Sequence, residues 1–90
     1  MTVKKITPEM INDLCSVLAS IDNADDIKIF LDDLCTIKEI EQMAQRITAA
    51  RLLKDNNTYT KVIEQLDISS TTLSRVSRAL QYGKGYNKFL

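Results

Sequence analysis

Along most of this chain apolar residues recur every three or four positions, the period of an amphipathic helix, and capping residues divide the pattern into five predicted helices. Thr7-Pro8 opens the first, a threonine N-cap followed by a proline whose missing N–H has no helical partner to lose. Met10, Leu14, Val17, Leu18 and Ile21 then form its apolar stripe. Asp22-Asn23 breaks the chain and recaps it. The second helix carries Asp25 and Asp26 in its first turn, where the dipole favours anions, and Ile27, Phe30, Leu31 and Leu34 on one face. Thr36-Ile37-Lys38-Glu39 has the form of a capping box and starts the third helix, which runs through Ile40, Met43, Ala44, Ile47, Ala50 and Leu53 to about Lys54. Between Ile47 and Leu53 it is apolar on more than one side, so several neighbours must cover it; in so short a chain some of them would come from a second subunit.

Asp55-Asn56-Asn57 reads as a turn, and Thr58 caps a short helix over Tyr59 to Leu66. A tight turn through Asp67 and Ile68 leads to Ser69, which caps a final helix ending at Tyr82, with Gly83 as its stop. The tail, Lys84 to Leu90, has no clear period and is expected either to be extended or to dock through Tyr86 and Phe89.

Composition agrees with an all-α fold. Two glycines and one proline in 90 residues leave little turn chemistry for a multistranded sheet. The chain has no histidine, which excludes Ser-His-Asp and Cys-His catalysis and histidine-ligated zinc. Cys15 and Cys35 lack the short paired spacing of a metal or redox site and read as small buried core residues with free thiols. The opening MTVKKITPEM has no apolar run behind its lysines and is not read as a signal peptide, and no stretch approaches a membrane span. A cytoplasmic protein with no catalytic residue, cofactor or metal ligand is expected.

The twelve basic and twelve acidic residues balance overall but are unevenly distributed. Residues 1–35 carry a net charge of −4 and residues 36–90 a net charge of +4, which suggests that the C-terminal half meets an anion. Solvated acidic faces on the N-terminal helices would give the same numbers.

The segment from Tyr59 to Arg78 separates these readings. A DNA-binding helix-turn-helix needs two short helices on a small apolar core, the second free to enter the major groove. Val62, Leu66, Ile68, Leu73 and Val76 occupy the required apolar positions. Two positions depart from the usual pattern. Asp67 stands where glycine commonly supplies a positive φ, which aspartate tolerates, and Ile63 stands where a small residue would give the closest crossing. With Leu73, Val76 and Leu80 inward, the last helix turns out Ser70, Thr71, Ser74, Arg75 and Arg78, flanked by Thr72 and Ser77. Nothing acidic follows Asp67. Short hydroxyl side chains allow close approach to a groove, and arginines can reach guanine or phosphate. The candidate DNA-binding set is therefore Ser69, Ser70, Thr71, Thr72, Ser74, Arg75 and Arg78 with Thr60 and Lys61 of the preceding helix; Lys54, Lys84 and Lys88 are candidate flanking phosphate contacts.

From Cys35 onward the chain resembles the Trp repressor superfamily, and within it the short Trp-repressor-like branch of YerC/YecD type. The resemblance rests on TIKEIEQMAQRITAARLLKDNNTYTKVIEQLDISSTTLSRVSRALQYGKGY, in particular Thr36 and Glu39, Arg46, the Leu52-Leu53 pair, the SSTTLSRV helix and the YGKGY ending. It implies an all-α fold of five to six helices, an intertwined homodimer, and a transcriptional repressor acting on double-stranded operator DNA. The length fits one small domain, and residues 1–90 are read as a single helical DNA-binding domain made of dimerisation helices (1–57), helix-turn-helix (58–82) and C-terminal tail (83–90). In that family two arginines hold the carboxylate of the corepressor tryptophan, and Arg46 and Arg75 align with them. The residue after the second arginine is glycine there and Val76 here, and the third helix is one residue shorter between Arg46 and Leu53, so no tryptophan binding is expected and any effector is unknown. A homodimeric, sequence-specific DNA-binding regulator is the leading reading. The alternative is a helical protein-interaction module without direct DNA readout.

Overall fold

A computed structural model describes residues 5–90, which form six α-helices with no strand among them. The helices are α1 (Pro8–Ser20), α2 (Ala24–Leu34), α3 (Ile37–Lys54), α4 (Tyr59–Leu66), α5 (Ser70–Tyr82) and α6 (Gly85–Phe89). Two compact units result, one up to Thr36 and one from Ile37 to Leu90.

In the first unit, sequence-encoded caps set the helix starts. Thr7 accepts from the Met10 amide at 3.3 Å, and Asn23 accepts from the Asp26 amide at 2.8 Å. Each bond satisfies a donor that the first turn would otherwise leave open. Neither α1 nor α2 contains a buried residue. Met10, Ile11, Leu14, Ile27, Ile29 and Leu34 are all exposed, so the apolar stripes read from the sequence exist but are not enclosed by this chain. Cys15 is exposed and Cys35 half-buried. This corrects the expectation of core cysteines: α1 has no enclosed interior in which a small thiol could be buried.

The second unit holds the core. Ala49 and Ala50 of α3, Val62 of α4, Ile68 of the turn, and Leu73 and Val76 of α5 are buried together, with Leu52, Leu53, Ile63, Leu66 and Leu80 packed around them. The broad apolar end of α3 is thus covered by α4 and α5. It terminates in a Schellman arrangement: Asn56 takes a left-handed φ of 66°, its amide bonds Leu53 O, and the Asn57 amide reaches back to Leu52 O. The Asn57 side chain adds a second bond to Leu52 O at 2.9 Å.

The turn between α4 and α5 follows the sequence closely. Asp67 is left-handed, at φ 52° and ψ 35°, and Ser69 accepts from the Thr72 amide at 3.1 Å to start α5. Gly83 stops α5 as expected, but for a different reason. Its φ is −88°, so no left-handed conformation requires glycine; a Cβ here would lie 2.7 Å from the Ala79 carbonyl oxygen. The tail is helical rather than extended. Tyr86 and Leu90 dock against the core cluster, whereas Phe89 is exposed with the Lys88 ammonium 5.4 Å from its ring centre. Tyr86 and Leu90, the residue that caps α6, are four positions apart, as neighbours on one helix face are.

Urea melts should order the core and the turn as follows. Leu73→Ala removes a wholly buried side chain and should cost about 2–5 kcal/mol. Asp67→Val puts a branched side chain on left-handed backbone and should cost about 1–2 kcal/mol, while Asp67→Gly should equal or exceed the parent in stability.

Candidate nucleic-acid interface

The candidate residues are set out by the burial of the opposite face of α5. Because Leu73 and Val76 point into the core, Ser70, Thr71, Ser74, Arg75 and Arg78 are exposed, and Thr72 and Ser77 lie half-buried at the margins. Ser69 is exposed and committed locally, accepting from the Thr72 amide and donating to Thr72 Oγ1 at 2.9 Å. Thr60 and Lys61 are exposed on the first turn of α4, which Thr58 caps through a 3.2 Å bond from the Lys61 amide. Lys54, Lys84 and Lys88 are also exposed. No carboxylate side chain lies between Ile68 and the last residue, so every charged side chain that α5 and α6 present is a cation.

Sequence reasoning missed one anchor of this surface. Gln45, half-buried on α3, donates from Nε2 to the Leu66 carbonyl oxygen at 2.6 Å. That carbonyl belongs to the last turn of α4, where oxygens lack helical partners. The bond ties α4 to α3 just before the left-handed turn and so fixes where α5 begins. Gln45 sits among other polar residues of α3, Gln42 and Arg46 included, so nothing in the sequence singles it out, and its partner is 21 residues away.

Arg46 and Arg75, which the resemblance pairs, line one cavity of about 410 Å³ between α3 and α5. Met43 and Ile47 complete the α3 wall, Thr72, Val76 and Ala79 the α5 wall, and Tyr86 reaches in from α6. Val76 therefore places a side chain at the wall where the family pattern has glycine. Arg46 and Thr72 also line a neighbouring polar recess with Gln42, Gln45 and Ser69. Among the described residues no group of three or more Cys, Asp or Glu side chains is placed to hold a metal ion, and no helix is long and apolar enough to cross a membrane.

An all-helical chain with this α3–α5 cavity and an outward-facing, cationic α5 has the architecture of the Trp repressors, and comparison with known proteins agrees. The family model described as Trp repressor protein matches residues 9–90, so the chain belongs to the Trp repressor family. It is 39% identical over 83 residues to the uncharacterized protein YerC of Bacillus subtilis (strain 168), covering 92% of this chain and 80% of that one. It is 33% identical over 69 residues to a Trp operon repressor homolog of Xylella fastidiosa (strain 9a5c), covering 76% of this chain and 75% of that one. Two solved structures share the fold. A TrpR-like protein from Eubacterium eligens (ATCC 27750) matches with a TM-score of 0.85 at 34% identity, over 93% of this chain and 88% of that one. A Staphylococcus aureus protein provisionally assigned as a Trp repressor matches with a TM-score of 0.84 at 32% identity, over 97% of this chain and 88% of that one.

Replacing Gln45 with alanine should cost about 1 kcal/mol of stability in denaturant melts, the usual net value of such a bond. The neighbouring Gln42, for which no such bond to α4 is seen, serves as the control; an equal loss from Gln42→Ala would sink the assignment.

Proposed function

We propose that the protein is a homodimeric, sequence-specific DNA-binding regulator, acting as a repressor on a palindromic operator, with α4 and α5 as its helix-turn-helix. The observation that carries this reading is the division of α5 into two faces. Leu73 and Val76 are buried, while Ser70, Thr71, Ser74, Arg75 and Arg78 stand exposed on a segment without acids. Hydroxyls at the N-terminal end of a helix can meet phosphates and bases at short range, and an arginine can bond guanine in a bidentate fashion. Thr60, Lys61, Ser69 and Thr72 belong to the same contact surface, and Lys54, Lys84 and Lys88 add charge for the flanking backbone. The Xylella relative, a Trp operon repressor homolog, supports the regulatory reading.

Dimerisation is supported by the first unit. Two amphipathic helices without one buried residue leave apolar area in water, and Ile37 at the start of α3 is 75% exposed. A second copy with the same stripes would cover it, making residues 1–57 the dimerisation segment and residues 58–82 the DNA-reading one. Two readers on a two-fold axis engage half-sites about 34 Å apart, which one motif alone cannot do. The same apolar faces would also serve a protein-interaction module, and that alternative predicts no operator.

The deciding experiment selects genomic DNA fragments on the purified protein across a salt series. A palindromic site should be recovered, with affinity falling steeply as salt rises. Arg75→Ala and Arg78→Ala should each weaken binding by about 1–3 kcal/mol with helicity unchanged. Sedimentation should show a dimer at micromolar concentration; a folded monomer there, or sequence-blind retention, counts against the proposal.

Val76 also bears on ligand dependence. Its side chain lines the cavity that Arg46 and Arg75 share, so the indole of tryptophan has less room than a glycine would leave. DNA affinity should be unchanged by millimolar tryptophan, as titration in the selection buffer would show.

A further inference from the structure

The proposed DNA-facing set on α5 stops at Arg78, yet the helix continues for another turn to Tyr82. Tyr82 is 80% exposed, the highest value among the large apolar side chains of the described residues. Burial of the opposite side of α5 fixes its direction. Each residue of an α-helix advances about 100° around the axis, so with Thr71 set at zero Leu73, Val76 and Leu80 fall at about 200°, 140° and 180°. Leu73 and Val76 are buried, and Leu80 is half-buried against the same cluster. On the same scale Arg75 lies at about 40°, Arg78 at about −20° and Tyr82 at about 20°. The tyrosine thus stands between the two arginines in angle, on the side opposite the core, and all three are exposed.

Length along the axis decides what this ring can meet. Thr71 and Tyr82 are about 16 Å apart at roughly 1.5 Å per residue, more than the roughly 12 Å width of the major groove. With the hydroxyl-bearing first turn of α5 at the bases, the last turn is carried to the edge of the groove, where sugar and phosphate line the duplex. The surroundings suit an anion: no carboxylate side chain follows Asp67, and Lys84 is exposed two residues beyond Tyr82. A phenol donates its O–H to a phosphate oxygen and lays its ring against deoxyribose, so both parts of the side chain find a partner there. An exposed tyrosine on an acidic or uncharged face would fit a protein partner better; here the ring shares one stripe with two arginines.

We propose that Tyr82 binds DNA: its hydroxyl donates a hydrogen bond to a backbone phosphate at the edge of the half-site, anchoring the C-terminal end of α5 while Arg75 and Arg78 face the groove. The contact is to the strand and not to a base, so it adds affinity without adding discrimination. The inference rests on the reading of α4 and α5 as a helix-turn-helix and extends that site by one residue.

The test uses the full chain and the duplex recovered by selection. Tyr82→Phe removes the hydroxyl alone and should weaken binding about three- to tenfold, the worth of one hydrogen bond. Variants of the site with one base pair changed should lose the same factor, so their ranking is kept. A phenol carries no charge and displaces no counterion, so the slope of log affinity against log salt should match that of the parent. Single methylphosphonates placed along the site, each removing one anionic oxygen, should reveal a phosphate at which the loss suffered by the parent is at least halved in Tyr82→Phe. The melting temperature of the variant should equal that of the parent, because the ring is retained and lies outside the core. Parent-like affinity in Tyr82→Phe, a changed ranking of site variants, a changed salt slope, a methylphosphonate profile identical to that of the parent, or a fall in melting temperature alongside the loss of affinity overturns the proposal. A parent that binds its site while Tyr82→Phe binds it equally well sinks this inference and leaves the regulator reading standing; a parent that binds no DNA removes both.

Discussion

The second unit depends on the contact of one face of α5 with the end of α3. Ala49 and Ala50 are wholly buried there, and their short side chains let Leu73 and Val76 approach the α3 backbone closely. Val62 and Ile68 close the same cluster from α4 and the turn. Burying one face of α5 necessarily turns the opposite face to solvent, since the two are half a helical turn apart. The exposure of Ser74, Arg75 and Arg78 is thus the geometric complement of the core, and any change that rotates α5 on Ala49 and Ala50 rotates the candidate interface by the same angle.

Local chemistry made most of the fold legible. Thr7, Asn23, Thr58 and Ser69 each accept from an amide three residues on, so a residue type and its position sufficed to place four helix starts. Asp67 was legible because few residues besides glycine tolerate left-handed backbone. Errors arose where tertiary contacts decide. Residue type alone places Cys15 and Cys35 in a core, whereas neither α1, which carries Cys15, nor α2, which Cys35 caps, has a buried residue. In the tail, Tyr86 and Phe89 looked equivalent, because a five-residue helix is too short for a period to show which side packs. Gly83 reads as a stop from its residue type, whereas its close approach to Ala79 comes with the bond of its amide to that carbonyl oxygen at φ −88°, a geometry the residue type does not specify.

The candidate interface follows the same division. Outward residues of α5 were readable because helical periodicity sorts one face from the other, and the absence of acids after Asp67 is visible in the sequence itself. Arg46 and Arg75 could be paired by resemblance, although nothing in their spacing shows that both border one cavity with Tyr86. The bond from Gln45 to Leu66 joins a side chain to a backbone oxygen, which carries no residue-specific signature at the accepting end.

Size connects the two units. Among the described residues six are buried, all between Ala49 and Val76, a small core even for a domain of this length, and α1 and α2 add none. On the proposed reading the remaining apolar area is covered only on pairing, so folding of the N-terminal helices and association become one equilibrium that strengthens with concentration. The same pairing would supply the second reading helix that a two-fold symmetric operator requires. Stability and function then place the same demand on the sequence. The acidic N-terminal helices need a partner to bury their stripes, and the cationic α5 needs that partner to present a second α5 at the right spacing. The net charges of −4 over residues 1–35 and +4 over residues 36–90 are consistent with this arrangement, since the surface that would meet phosphate is basic and the helices that would pair keep their acids on the solvated side.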